Sequence, residues 1–317
     1  MLYRSDRSSS RRTTPAPADV LAFHQSLADY APTPLHDVPA LAAELGLGRV
    51  LVKDESQRLG LPAFKALGAW WAIHRALQPD TEVLVTATDG NHGRAVARRA
   101  RMLGLRSHVF VPDVVSAAAA DAIRFEGAEV TVLPTSYDDA VLAAADSITP
   151  GRLLIQDSAW PGYEVVPQYI VDGYSTLFHE IDVPADLVVV PMGVGSVAQA
   201  AVTHCGTVLG VEPSSAACIT SSLLAGHPVT VETSSTVMAG LNCGTPSSLA
   251  WPVLRDGLHA AVTVEDADAL RASEDLVALG ISSGPSGAAT LAGLRAARDS
   301  LDLSAESTVV LISTEGR

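Results

Sequence analysis

The sequence predicts an α/β protein built from two doubly wound, mainly parallel sheets. Three observations carry that prediction. Short apolar runs alternate with longer alanine-rich periodic segments almost from end to end, the pattern of strand–helix–strand units with right-handed crossovers. The 317 residues are 48% hydrophobic but only 5% aromatic, so Ala, Val and Leu must fill the core, as in buried parallel strands covered by helices. Glycine-bearing polar turns also follow several of the apolar runs, at the strand ends where such sheets hold ligands.

Taken in order, the apolar runs predict strands at 50–53, 82–86, 107–111, 129–133, 153–156, 186–191, 207–212, 261–265 and 308–313. The periodic segments between them predict helices near 65–77, 91–103, 116–126, 137–147, 163–180, 196–204, 249–257, 265–279 and 286–298. The block from about 70 to 150 and the block from about 185 onward each read as one sheet. The expected division is a segment 1–69 packing on the larger domain, a small domain 70–175 and a large domain 176–317. No internal repeat or long low-complexity linker is visible.

A formal net charge of −14 argues against nucleic acid or an anionic membrane as the main partner. Cys205, Cys218 and Cys243 have no ligand-like spacing, so no metal site is expected and a reducing, cytoplasmic setting is. No apolar run approaches the roughly 20 residues that span a bilayer. The Ser/Arg-rich start through Arg11 and Arg12 lacks an apolar h-region and reads as a frayed tail.

Three segments carry chemistry. The first is Gly60-Leu61-Pro62-Ala63-Phe64-Lys65, a lysine among apolar and small neighbours. Desolvation there would disfavour the ammonium and free the amine to attack a carbonyl. Taken alone, Lys65 better fits an amphipathic lysine with a packed stem and a solvated head; the segments that accompany it reverse that reading. The second is Thr88-Asp89-Gly90-Asn91-His92-Gly93, a strand-to-helix turn whose N–H groups can hold a carboxylate. Asn91 can donate to a hydroxyl there, and Asp89 can accept a proton or cap the helix. The third is Gly193-Val194-Gly195-Ser196-Val197, a phosphate-cradle layout before a helix, with Ser196 adding a hydroxyl. It lacks the third glycine of a dinucleotide site. One amine and two anion cradles at strand ends are what an aldehyde-bearing phosphate cofactor requires, and pyridoxal phosphate is the leading reading. Ser313, just past the last apolar run, offers a hydroxyl rather than a carboxylate to a pyridine nitrogen, which favours prompt loss of a β-substituent.

Together these segments resemble the fold-type II pyridoxal phosphate enzymes of the tryptophan synthase β family, and within it the diaminopropionate ammonia-lyases. The stretches that carry the resemblance are Lys53-Asp54-Glu55-Ser56 leading to Lys65, Ala87 to Arg94, Gln156-Asp157-Ser158-Ala159-Trp160, Met238 to Pro246 and Ile312 to Gly316. They span nearly the whole chain in the expected order. The resemblance implies a tryptophan synthase β-like fold with the cofactor in the cleft between two domains. Lys65 would be joined to the cofactor, Gly193 through Val197 would hold its phosphate, Asn91 its ring hydroxyl, and Ser313 or Thr314 its ring nitrogen. Lys65 would take the Cα proton of the L-substrate and Asp89 that of the D-substrate. Thr88, Gly90 and His92 would complete the substrate turn, and Asp157 would recognise the substrate's amino group. The implied partner is a small amino acid, and the implied assembly is a homodimer.

Three departures from the family pattern mark the chain. The segment from Leu77 to Glu82 is short, the sequence stops after Arg317, and Ser283-Gly284-Pro285-Ser286-Gly287 stands where a glutamate usually precedes Ser-Gly. The implied reaction is loss of ammonia from 2,3-diaminopropionate. Two alternatives stand beside it: a serine/threonine dehydratase-like or β-replacement enzyme, and a catalytically silent binding or regulatory homologue.

Overall fold

The computed structural model describes residues 1–5, 13–88 and 90–317. Arg11, Arg12 and the candidate Asp89 lie outside the described residues. Among those described, the strands are β1 (Leu2–Arg4), β2 (Leu35–Asp37), β3 (Arg49–Asp54), β4 (Val83–Ala87), β5 (Arg106–Pro112), β6 (Glu129–Leu133), β7 (Arg152–Leu154), β8 (Leu187–Pro191), β9 (Val208–Pro213), β10 (Ala260–Val264) and β11 (Thr308–Ser313). The helices are α1 (Asp19–Gln25), α2 (Pro39–Leu45), α3 (Lys65–Ala76), α4 (Asn91–Met102), α5 (Ala117–Phe125), α6 (Tyr137–Asp146), α7 (Val165–His179), α8 (Ser196–His204), α9 (Cys218–Ala225), α10 (Ala250–Gly257), α11 (Asp266–Ala278) and α12 (Pro285–Ala297).

Two sheets result. One has four strands in the order β6-β5-β4-β7, all parallel. The other has seven in the order β1-β10-β9-β8-β11-β3-β2. Its five central strands are parallel and its two edges, β1 and β2, are antiparallel. The central runs are buried along their length: every residue of β8 is inaccessible or nearly so. That is why they read as continuous Val/Leu stretches rather than as alternation. Each Val or Leu fully removed from water there contributes about 1.5–3 kcal/mol.

Strand order reverses once in each sheet. From β4 the chain moves outward through β5 and β6, then returns to place β7 on the other side of β4. From β8 it moves outward through β9 and β10, then places β11 on the other side of β8. The carboxyl ends beside such a reversal leave a crevice that no crossover covers. The turn after β4 carries Asn91 and His92, and the segment after β7 carries Asp157. The turn after β8 carries Gly193–Val197, and the end of β11 leads into Thr314 and Glu315.

Helix α3, which begins at Lys65, is buried from Ala66 to Ile73. It crosses α7 with its backbone nearly in contact. A Cβ on Gly68 would lie 2.5 Å from the Tyr174 ring, and one on Gly173 would lie 2.5 Å from the Leu67 carbonyl oxygen. The crossing therefore needs glycine on both helices. The indole of Trp70 donates to the Ala95 carbonyl at 2.9 Å, tying α3 to α4. Lys65 thus sits at the start of a helix fixed on two sides.

The sequence-based division into elements differs from the structure mainly before residue 50. The short β1, β2, α1 and α2 were not expected, nor was α9. The expected strand 153–156 ends at Leu154. Beyond it, the Gln156 side chain accepts from the Ala87 amide at 2.9 Å, which carries the sheet edge on by a side chain and presents Asp157.

Candidate active site

The two reversal points face one cavity of about 210 Å³. Lys65, Thr88, Gly90, Asn91, His92 and Asp157 line one part of it, and Gly193 through Val197 with Thr314 and Glu315 line another. All but two of the sequence candidates meet there. Asp89 lies outside the described residues. Ser313 does not line the cavity: it is fully buried and its hydroxyl donates to the Ser283 hydroxyl at 2.7 Å. Successive residues of a strand point to opposite faces, so Thr314 takes the cavity side.

The expectation of a desolvated, ammonium-disfavouring Lys65 is corrected by its neighbour. Lys65 Nζ donates to Asp157 Oδ2 at 2.7 Å. Burial alone would lower the lysine's pKa, but the Asp157 carboxylate outweighs it and holds the amine well above the ordinary lysine range. Burial would likewise raise Asp157, but the Lys65 ammonium bonded to it holds it well below the ordinary carboxylate range. Asp157 is steadied by the Tyr137 hydroxyl, which donates to Oδ1 at 3.3 Å. The sequence could not show this pairing, because the two groups lie 92 positions apart in the chain.

His92 is held by its other nitrogen. Nε2 lies 2.8 Å from the Ile155 carbonyl oxygen, which can only accept, so Nε2 carries the proton. Nδ1 is then a buried lone pair with no hydrogen-bond partner among the described residues, 4.0 Å from Asp157 Oδ2. Burial lowers the pKa of this imidazole. The Nδ1 lone pair can accept from a donor on a ligand.

The turn after β8 is built for an anion. Gly195 caps α8 at φ +103°, and a Cβ there would lie 2.8 Å from Leu254, so only glycine fits. The first-turn amides of α8 have no intrahelical acceptor, and Ser196 and Val197 line the cavity. The Ser196 hydroxyl, expected to join the cradle, instead donates to the Asp157 carbonyl at 2.8 Å. The Thr88 hydroxyl accepts from the amides of Gly90 and Gly93 at 3.0 and 3.1 Å, fixing the start of α4.

Glu315 was missed as a site residue. It follows Thr314 on the cavity wall, accepts from Asn91 Nδ2 at 2.9 Å and from the Ser286 amide at 3.2 Å. Its pKa is raised, because loss of hydration pushes it up by more than the bonds from Ser286 and Asn91 bring it down. Tyr174 and Cys243 also line the cavity.

The family model described as pyridoxal-phosphate dependent enzyme matches residues 27–315. The chain belongs to that family. It is 36% identical to a diaminopropionate ammonia-lyase of Salmonella typhimurium over 94% of this chain and 88% of that protein. It is 30% identical to a biosynthetic L-threonine dehydratase of Mycobacterium leprae over 90% of this chain and 68% of that one. Among solved structures it is similar to diaminopropionate ammonia lyase from Escherichia coli in complex with an aminoacrylate-PLP azomethine reaction intermediate. That similarity has a TM-score of 0.90 at 32% identity, covering 100% of this chain and 93% of that one.

The residues present fit the family's cofactor. An amine, the first-turn amides of a helix and an imidazole nitrogen with no hydrogen-bond partner among the described residues share one cavity. These are the groups that an aldehyde, a phosphate and an amino-acid substrate need.

Proposed function

We infer that this protein is a pyridoxal phosphate-dependent ammonia-lyase that converts 2,3-diaminopropionate and water to pyruvate and two molecules of ammonia. The observation that supports it most is the convergence of Lys65, Asp157, His92 and the α8 N-terminus on one cavity in a chain 36% identical to a diaminopropionate ammonia-lyase. When bound, pyridoxal phosphate supplies an aldehyde carbon for an amine and a ring that stabilises negative charge developing at Cα.

The chain's own groups do the rest. In this reading Gly193 through Val197 hold the phosphate at the positive end of α8. Asn91 reaches the ring hydroxyl, and Thr314, rather than Ser313, faces the ring nitrogen. Lys65 Nζ anchors the cofactor and, once released by the substrate's amine, takes the Cα proton of the L-substrate. Asp157, 2.7 Å away, then stabilises the ammonium that this transfer creates. While Lys65 is uncharged, Asp157 and the His92 lone pair are available to the substrate's own ammonium groups. Thr88 and Gly90 shape the turn that meets the substrate carboxylate. Asp89 keeps the role of base toward the D-substrate by resemblance alone.

The working division into domains is 1–69, 70–175 and 176–317, and we take the protein to be a cytoplasmic homodimer. These assignments rest on the resemblance; no described helix is long and apolar enough to cross a membrane. The dehydratase reading rests on the 30% identity to the threonine enzyme. The test is to mix the purified protein and pyridoxal phosphate with D- and L-2,3-diaminopropionate, serine and threonine, following keto-acid release. Fastest release from a diaminopropionate isomer is expected. Release from serine or threonine alone would move the assignment to the dehydratases.

A further inference from the structure

Glu315 is a half-buried residue on the cavity wall whose carboxyl group no role so far explains. Its two oxygens bind different elements. Oε2 accepts from Asn91 Nδ2 at 2.9 Å, at the first residue of α4 beside the four-stranded sheet. Oε1 accepts from the Ser286 amide at 3.2 Å, in the first turn of the thirteen-residue α12. The backbone on either side is fixed as well. Ala63 forms a bridge with Glu315, the Gly284 amide donates to the Glu315 carbonyl at 3.0 Å, and the Gly316 amide donates to Pro62 at 3.0 Å. This one residue therefore joins the start of α4 and the start of α12 by its side chain and the segment leading to Lys65 by its backbone.

We propose that Glu315 is a positioning residue for the cofactor's ring, acting through Asn91, whose amide it orients. This rests on the reading of Asn91 as the contact to the ring hydroxyl. An asparagine amide can turn either end toward a neighbour at little steric cost. An ionised carboxylate accepts only, so it selects the NH₂ end of Asn91 and leaves Oδ1 and the second N–H for the cofactor. The Ser286 amide, at the positive end of α12, favours the same ionised state. Neither Asn91 nor Ser286 could be satisfied in the same way by a neutral amide at 315. A glutamine has one accepting end, so it must either oppose the Ser286 N–H with a second donor or turn Asn91 around.

The experiment compares wild type, Glu315→Gln, Asn91→Ala and the double variant. Pyridoxal phosphate affinity is measured by titrating cofactor-free protein, and the absorbance maximum of the bound cofactor is recorded alongside. Glu315→Gln is expected to weaken cofactor binding roughly tenfold, the effect of one charge-assisted hydrogen bond, and to shift the absorbance maximum. In the Asn91→Ala background the same change is expected to add less than about twofold. A purely structural Glu315 would instead lower the melting temperature of the cofactor-free protein and leave the absorbance in place. Glu315→Asp keeps the charge but shortens the reach, and is expected to shift the absorbance in the same direction even where the glutamine variant fails to fold. If the effects of Glu315→Gln and Asn91→Ala simply add, Glu315 does not act through Asn91 and the proposal is overturned. If Asn91→Ala changes neither affinity nor absorbance, the reading of Asn91 fails first and takes the proposal with it.

Discussion

Lys53 and Lys65 are the two lysines of the chain, and each donates to a carboxylate at nearly the same distance. Lys53 Nζ lies 2.6 Å from Glu180 Oε2 and Lys65 Nζ lies 2.7 Å from Asp157 Oδ2. What surrounds each pair differs. Around Lys53, Arg58 makes paired bonds to Glu55 at 2.6 and 2.8 Å and reaches Glu180 at 2.7 Å. Lys53 also donates to the Thr33 carbonyl at 2.7 Å. Two cations face two carboxylates, and all four side chains are inaccessible or nearly so. Although burial alone would raise Glu180, Arg58 and then Lys53 hold it down to about 2. That cluster is closed. Around Lys65 the side chain keeps 22% exposure to a cavity, and the neighbouring imidazole has a nitrogen without a partner. A buried ion pair by itself says little about function; an ion pair with capacity left over, facing a cavity, says much more.

The sharpest way to break that contrast is to remove each lysine's role in turn. Lys65→Ala is expected to cut keto-acid release by at least the 10²–10⁴-fold typical of a lost acid–base group, while far-ultraviolet circular dichroism stays as in wild type. Arg58→Met should do the reverse. It strands Glu55 and Glu180 without their shared cation, at a cost of about 3–5 kcal/mol of stability measured by urea unfolding, with turnover per folded molecule retained. Equal loss of activity in the two variants would erase the distinction.

Asp157→Asn sharpens it. Loss of one charge-assisted bond to Lys65 should slow turnover on the order of tenfold to a hundredfold. The pair also fixes a pH signature. Asp157 is held below its ordinary 3.8, so its contribution is complete above that pH and is lost only in stronger acid. Lys65 is held above its ordinary 10.5, so its contribution is complete below that pH and is lost only in stronger alkali. The pair's contribution to stability is therefore flat between about pH 4 and about pH 10.

The smallest effect belongs to another buried carboxyl, that of Glu212. Glu212 accepts from the amides of Ile219 and Thr220 at 2.8 and 2.7 Å at the start of α9, yet burial raises its pKa from 4.5 to about 7. Its contribution is fully present below pH 4.5 and is lost as pH rises through about 7. Melting temperatures of Glu212→Gln should therefore fall less between pH 4.5 and pH 8 than those of wild type.

Much of the fold was legible because the central strands are buried on both faces and the helices between them keep a regular period. The order of strands was not, since it depends on which run pairs with which. The edge strands β1 and β2 are only three residues long and give no periodicity to read. At the site, glycine and polar clusters after apolar runs marked Lys65, Asn91 and Gly193–Val197 from composition alone. Pairings escaped: Lys65 with Asp157, and Asn91 with Glu315 across 224 positions. Glu315 itself looked like one more polar residue in a closing turn. Ser313 and Thr314 could be told apart only once the strand's facing was known.

The most direct test of the central claim uses the fact that the chain has only two lysines. The protein is mixed with pyridoxal phosphate, reduced with borohydride and digested, and the cofactor's added mass is located by mass spectrometry. The label is expected on the peptide containing Lys65, with none on Lys53. A label on Lys53, or on neither lysine, would contradict it.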